Sequence, residues 1–294
     1  MRLLRWTAPA AVLFLLASCA GLRPVPLERA PGQWLGRLPP ESTFYLSVRA
    51  SNCRELLSRA VSASPLRDPE VQQLLDRTQQ VYGGFLLAPG LPPSYSLILL
   101  GDYNASRLRC SLSWSREWHR QKGAQPFWEK AGKPLQLAAP WDGLLLISDR
   151  GMARVLARLE VPGFFSMPQE AYREMEQADL FAYFPTLPGL ETQGSTRLPL
   201  RSLWVSAGRS GDRYALRGVF LLTEVREPRL LQALFKLLLA SWLLRGELGA
   251  VADRLRALEI AVDERFVVIQ GLELSTREMA SLLGPLLGLG EGGA

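Results

Sequence analysis

Apolar residues fall at alternate positions in a series of short runs along this 294-residue chain, and between the runs they recur at helical spacing. Period two marks a strand with one buried face, and a three-to-four spacing marks an amphipathic helix. Residues 43–48 (TFYLSV) read as a strand, β-branched and aromatic after Pro39-Pro40. A helix follows, with Cys53, Leu56, Leu57, Ala60 and Val61 on one face and Asn52 and Glu55 spaced as N-cap and N3 of a capping box. A second helix is expected over 69–81. Two apolar runs, 84–88 and 95–100, flank the break PGLPP, and 104–119 has helical spacing. The runs 135–139 and 144–148 flank PWDG, whose Asp142-Gly143 is a hairpin turn signal. A helix with Met152, Val155, Leu156 and Leu159 on one face ends the series.

From Leu180 the order restarts. LFAYF (180–184) reads as a strand, 202–207 and 214–222 as a pair around GRSGD, and a long helix follows Pro228. A second pair, 258–262 and 266–269, surrounds DER. A final helix carries Ser275 and Glu278 as a capping box and an apolar stripe of Met279, Leu282, Leu283, Leu286 and Leu287, interrupted by Pro285. Residues 185–198 are loop-like, so the second series lacks the first one's early helix pair. The expected class is α+β: two similar lobes of mixed, hairpin-rich sheet covered by amphipathic helices, an internal pseudo-duplication. The lobes span 42–162 and 176–290, with the boundary near 161–175.

The N-terminus follows a different pattern. Arg2 and Arg5 precede an apolar core at 8–16 and the small pair Ala17-Ser18. That core is shorter than the roughly 20 residues a membrane-spanning helix needs, and it suits a signal peptide over 1–18. Leu16-Ala17-Ser18-Cys19 resembles the lipobox of bacterial lipoproteins. The resemblance implies cleavage before Cys19 and an acyl group on its thiol; the alternative is an ordinary signal peptide cut beside a small residue. Ala20 stands where an aspartate would favour inner-membrane retention, so the same resemblance implies the outer membrane, facing the periplasm. Residues 19–41 hold Pro24, Pro26, Pro31, Pro39 and Pro40 and read as an extended tether, with Trp34 and Leu35 as docking candidates.

Charge and cysteines refine this picture without supplying chemistry. The formal charge of +6 falls to +4 once Arg2 and Arg5 leave with residues 1–18, a mild excess for this length. Beyond the anchor, Cys53 and Cys110 remain, either as a disulfide or as separate thiols. One histidine, His119, sits among Arg116, Arg120 and Lys122, and a zinc site of His and Cys lacks enough ligands. Asp102, Asp142, Asp149 and Asp263 could converge, but Asp142 and Asp263 sit in hairpin turns, where aspartate is favoured for local bonding. Asn104 reads as a helix cap. No phosphate loop or nucleophile elbow is present in the sequence. The expectation is a protein that is not an enzyme, with no catalytic residues, no metal and no cofactor.

Two segments suit a bilayer. Residues 106–133 carry seven basic side chains against Glu117 and Glu129, interleaved with Trp114, Trp118, Phe127 and Trp128. Helical spacing would put Trp114 and Trp118 on one face. Basic residues mixed with tryptophan suit an anionic headgroup layer, and secretion argues against nucleic acid. Residues 230–244 (LLQALFKLLLASWLL) form the second segment, apolar around most of a helix, with Gln232 and Lys236 as a polar stripe. Such a helix is buried in protein or in lipid. Its length of roughly 22 Å is short of a ~30 Å hydrocarbon core. The contact candidates are Trp114, Arg116, Trp118, Arg120, Lys122, Trp128, Leu234, Phe235, Leu238 and Trp242.

From the lipobox through the leucine-rich helices, the arrangement resembles the concealed outer-membrane lipoprotein of treponemes. The resemblance implies an α/β/α body with amphipathic helices that enter a leaflet. The expected function is a non-enzymatic, acyl-anchored periplasmic lipoprotein whose partner is the lipid bilayer. The alternative is a lipid-binding or envelope-assembly module with a protein partner.

Overall fold

A computed structural model describes residues 31–62, 69–88, 94–123, 125–149, 151–161, 163–186, 200–224, 227–245 and 256–287. Cys19 and the expected signal peptide lie outside them. The elements are α1 (Pro31–Leu35), β1 (Phe44–Val48), α2 (Arg54–Ser62), α3 (Pro69–Arg77), β2 (Thr78–Leu86), β3 (Ser94–Gly101), α4 (Ala105–Trp114), β4 (Trp118–Gln121), β5 (Phe127–Lys130) and β6 (Gln136–Ala138). They continue with β7 (Leu144–Ser148), α5 (Met152–Glu160), α6 (Gln169–Gln177), β8 (Leu180–Phe184), β9 (Leu200–Ser210), β10 (Arg213–Leu222), α7 (Glu227–Arg245), β11 (Glu259–Asp263), β12 (Phe266–Ser275) and α8 (Thr276–Leu287).

The twelve strands form one sheet in the order β11-β12-β10-β9-β8-β1-β2-β3-β7-β6-β5-β4. Every neighbouring pair is antiparallel, which corrects the expectation of a mixed sheet. α4 carries the chain over the sheet from β3 to β4 and α7 from β10 to β11, and in each case the chain returns through antiparallel neighbours to fill the gap, so the two crossovers leave no parallel pair in contact. The central β1–β8 pair, Tyr45↔Tyr183 to Val48↔Leu180, carries backbone bonds between the two expected lobes. Their cores also merge, since one buried cluster takes Tyr45, Ile98 and Leu144 together with Phe181, Trp204 and Leu221.

Alternation along the strands sends successive residues to opposite faces. On one face, α1, α5 and α6 cover that merged cluster through Trp34, Leu38, Val155, Leu159, Ala171 and Met175. On the other, α2 and α8 cover Val48, Leu180 and Tyr214, α3 and α4 cover Leu99 and Leu145, and α7 covers Leu222 and Val267. The body is thus three layers, helix on sheet on helix, as the treponemal resemblance implies. β12 carries one extra residue opposite Arg217, and Gly271 supplies the positive φ of 92° that this bulge requires. Any β-carbon there would also run into the carbonyl of Ala257.

Several boundaries move from their expected places. The tether expected over 19–41 stops before residue 31, because α1 and the turn after it bury Trp34, Leu35 and Leu38 to 1% exposure. The helix expected over 69–81 ends at Arg77, and Thr78 begins β2. The helix expected over 104–119 ends at Trp114, and Trp118 opens β4 instead. Residues 161–175, expected as a boundary, contain the start of α6, whose Glu174 accepts from Trp204 Nε1 at 2.9 Å, Arg217 at 2.6 Å and the Ser206 hydroxyl. The Ser275–Glu278 capping box forms as expected, with Ser275 N donating to Glu278 at 2.9 Å.

Cys53 and Cys110 are free thiols, so the disulfide alternative is set aside. Cys53 is buried under α2, and burial pushes its thiol up to about 11, while Cys110 is exposed on α4. Thiolate is the reactive form, so alkylation of the folded protein at pH 8 is expected to mark Cys110 and spare Cys53 until denaturant is added. Peptide mapping by mass spectrometry checks this; equal labelling of both in the native state would contradict the packing of α2.

Candidate membrane-facing site

Asn104 caps α4, its side-chain oxygen accepting from Arg107 N at 2.8 Å. Asp142, expected as a turn residue, reaches across to accept from Ala105 N at 2.8 Å. Arg109 is committed to the fold as well: its guanidinium donates to the carbonyls of Ala139, at 2.8 Å, and Pro140. α4 is therefore fixed at both ends of its first turn, and it delivers Trp114 to its C-terminus, 86% exposed.

β4 and β5 pair Trp118↔Lys130 and Arg120↔Trp128, which puts all four on the face that α4 covers. Trp118 is half-buried under Lys130, whose ammonium lies 5.7 Å from the ring centroid, and Glu117 approaches the same ammonium at 3.5 Å. Trp128 is 1% exposed, so it is removed from the contact set: it is a core residue of the sheet end. Trp114 and Trp118 do not share a helix face, since the chain turns into a strand between them. What remains on the surface is Trp114 with Arg116, Arg120 and Lys122. His119 faces away from them, opposite Glu129, in an open depression of about 500 Å³ that Lys130 and Lys133 also line.

The acidic residues that could have converged are spent separately. Asp149 accepts from Ser94 Oγ at 2.8 Å and Tyr95 N at 3.1 Å, and Asp142 caps α4. Among the described residues, no group of three or more His, Cys, Asp and Glu side chains could hold a metal ion.

α7 lies on the β11–β12 end of the same face. Its inner side packs through Leu231, 7% exposed, and Phe235, whose ring sits 5.0 Å from that of Phe220. Gln232 donates to the Ile260 carbonyl at 2.6 Å. Phe235 is thus turned into the protein, which corrects its place among the lipid contacts. The outer side is apolar and bare: Leu230, Leu234 and Leu237 are 63%, 41% and 67% exposed. Their i, i+4, i+7 spacing makes one stripe, bordered by exposed Arg229 and Lys236. Leu238 and Trp242 belong to α7, but their side chains lie outside the described residues. Among the described residues, no helix is long and apolar enough to cross a membrane.

The two segments are not brought together. They sit at opposite ends of a twelve-strand sheet, about 50 Å apart at ~4.8 Å per strand, and sheet twist rotates one end against the other. Sequence reasoning found both segments but missed a third exposed apolar site, Val161 and Phe164 between α5 and α6, at 76% and 93% exposure. Its only signal was two apolar residues beside Pro162 and Gly163 in the expected boundary.

No protein-family model matches the chain, and no curated protein matches it in sequence. Among solved structures it is similar to those of TP0453, a treponemal outer-membrane-associated lipoprotein. Crystal form I aligns at a TM-score of 0.62 and 18% identity, covering 91% of this chain and 98% of that one. Crystal form III aligns at 0.61 and 17%, covering 90% and 99%. At this identity the likeness is one of fold, and it extends over nearly the whole of both chains.

Proposed function

We propose that the chain is a non-enzymatic lipoprotein of the bacterial envelope, acylated at Cys19 and held to the periplasmic face of the outer membrane. Its body meets the bilayer through the outer stripe of α7 and, at the other end of the sheet, through Trp114 with Arg116, Arg120 and Lys122. The observation that carries this reading is the α7 stripe: three leucines on one helix face, bare to solvent, on a helix whose other face is already packed. Large apolar side chains in register on a surface mark a contact with lipid or protein. Fold likeness to an outer-membrane-associated lipoprotein favours lipid. A single acyl chain binds a membrane only marginally, so such surfaces would supply the second attachment signal.

The body reads further as a duplicated unit. Outward from the central pair, the strand order is β1-β2-β3-β7-β6-β5-β4 on one side and β8-β9-β10-β12-β11 on the other, so the first five strands of each side correspond in chain order, while α5 and α8 follow corresponding strands on opposite faces. α4 and α7 then occupy equivalent connections, which supports both carrying membrane contacts.

Cosedimentation of an unacylated chain beginning at Gly21 tests the bilayer reading. Binding to phosphatidylcholine vesicles is expected from α7 alone. Added phosphatidylglycerol is expected to increase it in a salt-sensitive way through the basic residues, because exposed charges are screened within about 10 Å at 0.1 M. Equal binding to both vesicles would remove the α4–β4 contact; no sedimentation with either would overturn the bilayer reading.

A further inference from the structure

The exposed residues between α5 and α6 have no partner role in the fold. Val161 ends α5 and Phe164 follows two residues into the connection, and both side chains stand in solvent while the next residue, Phe165, turns inward against Tyr45 and Tyr183. The connection is nevertheless firmly held. Gly163 N donates to Gly36 O at 3.0 Å, and Arg158 donates to the same carbonyl at 2.9 Å. A β-carbon on Gly36 would lie 2.6 Å from Gly163 O, so the two backbones touch. Gly32 N, at the other end of α1, donates to the Tyr172 hydroxyl of α6 at 2.8 Å. α1 is thereby clamped between α5 and α6, and Phe164 is presented beside it.

α1 is also where the chain from Cys19 joins the body. Its five residues rise only about 8 Å, so the joining point lies close to the Gly36–Gly163 contact. Pro31 is twelve Cα steps from Cys19, a contour of at most about 43 Å. An acyl group at Cys19 therefore confines this corner of the body near the bilayer, and confinement raises the effective concentration of any weak contact made there.

We infer that Val161 and Phe164 form a tether-proximal wedge that enters the lipid bilayer, a contact separate from α7 and in the opposite helical layer. The inference rests on the reading that Cys19 is acylated. Its chemistry differs from that of the α4–β4 end. Glu160 precedes the wedge, and the nearby Arg158 is committed to the Gly36 carbonyl, so the attraction is apolar and does not depend on anionic headgroups.

The test uses the full acylated chain on vesicles of phosphatidylethanolamine with a minority of phosphatidylglycerol. Photoreactive p-benzoylphenylalanine is placed at position 164, at 237 on the α7 stripe, or at the exposed turn position 212 as a control. Intact mass first reports the acyl group. Lipid adducts at 164 are expected at several times the level at 212, and they are expected to persist at high salt. Adducts at 237 but not at 164 overturn the wedge and leave α7 standing. Adducts at 164 alone sustain the wedge and remove α7. Adducts at neither position remove both, and protein adducts in place of lipid at 164 overturn the wedge in favour of a protein partner. An unacylated Cys19 removes the premise and the inference with it.

Discussion

Replacing Leu234 and Leu237 together with aspartate is expected to weaken vesicle association about 100-fold and to leave the fold intact. The two side chains are 41% and 67% exposed, so the folded protein loses little packing when they change. Surface substitutions of this kind shift stability by about 0.5 kcal/mol or less. In lipid the same side chains would finish their burial, at about 25 cal/mol per Å² of apolar surface, or roughly 1–1.5 kcal/mol each for the part still bare. Two of them account for 2–3 kcal/mol, and each factor of ten in affinity is about 1.4 kcal/mol. The cost of bringing two carboxylates to the interface adds to that. Phe235→Ala is the matching control, because it removes the ring packed on Phe220 from inside the fold and is expected to lower stability by about 3 kcal/mol. Cosedimentation and urea denaturation of both variants separate the two effects. Unchanged vesicle binding by Leu234→Asp/Leu237→Asp would show that the stripe serves something other than lipid.

The contrast between these neighbours shows what the sequence could and could not convey. Residues 230–244 are apolar all round, so the pattern says that the helix is covered without saying which side the sheet takes. Hairpins were easier. Asp142-Gly143, Gly211-Asp212 and the turn at Glu264, with a φ of 47°, announce themselves through turn chemistry, and the flanking strands follow. α5 was equally plain because Met152, Val155, Leu156 and Leu159 all point inward.

Non-local events left no such mark. β1 and β8 are about 135 residues apart, and a period-two pattern fixes which side of a strand is buried but not which neighbour it takes. That both series of elements share one antiparallel sheet follows from that one pairing. β4 reads WHRQ, with no β-branched residue, and it becomes a strand only because FWEK lies opposite. α6 presents only Ala171 and Met175 as buried apolar residues, and it is held as well by the Glu174 carboxylate on Trp204, which a hydrophobic pattern does not register. Five-residue α1 is too short for any periodicity at all.

For that reason Trp34→Ala is the sharpest test of how the folded body begins. Trp34 is 1% exposed, stacks on Tyr82 at 6.4 Å between ring centroids, and lies under the Arg37 guanidinium at 5.1 Å. Truncating a buried tryptophan costs about 3–5 kcal/mol, a large share of the roughly 5–15 kcal/mol by which a native protein is stable. For a chain of this size the thermal midpoint is expected to fall by about 10 °C. Trp114→Ala, 86% exposed at the end of α4, is expected to leave the midpoint unchanged. If the two variants melted together, residues 31–38 would be tether after all, and the clamp of α1 between α5 and α6 would count for little. If they separate as expected, the segment that leads from the proposed anchor at Cys19 enters the body as part of its core, through Trp34.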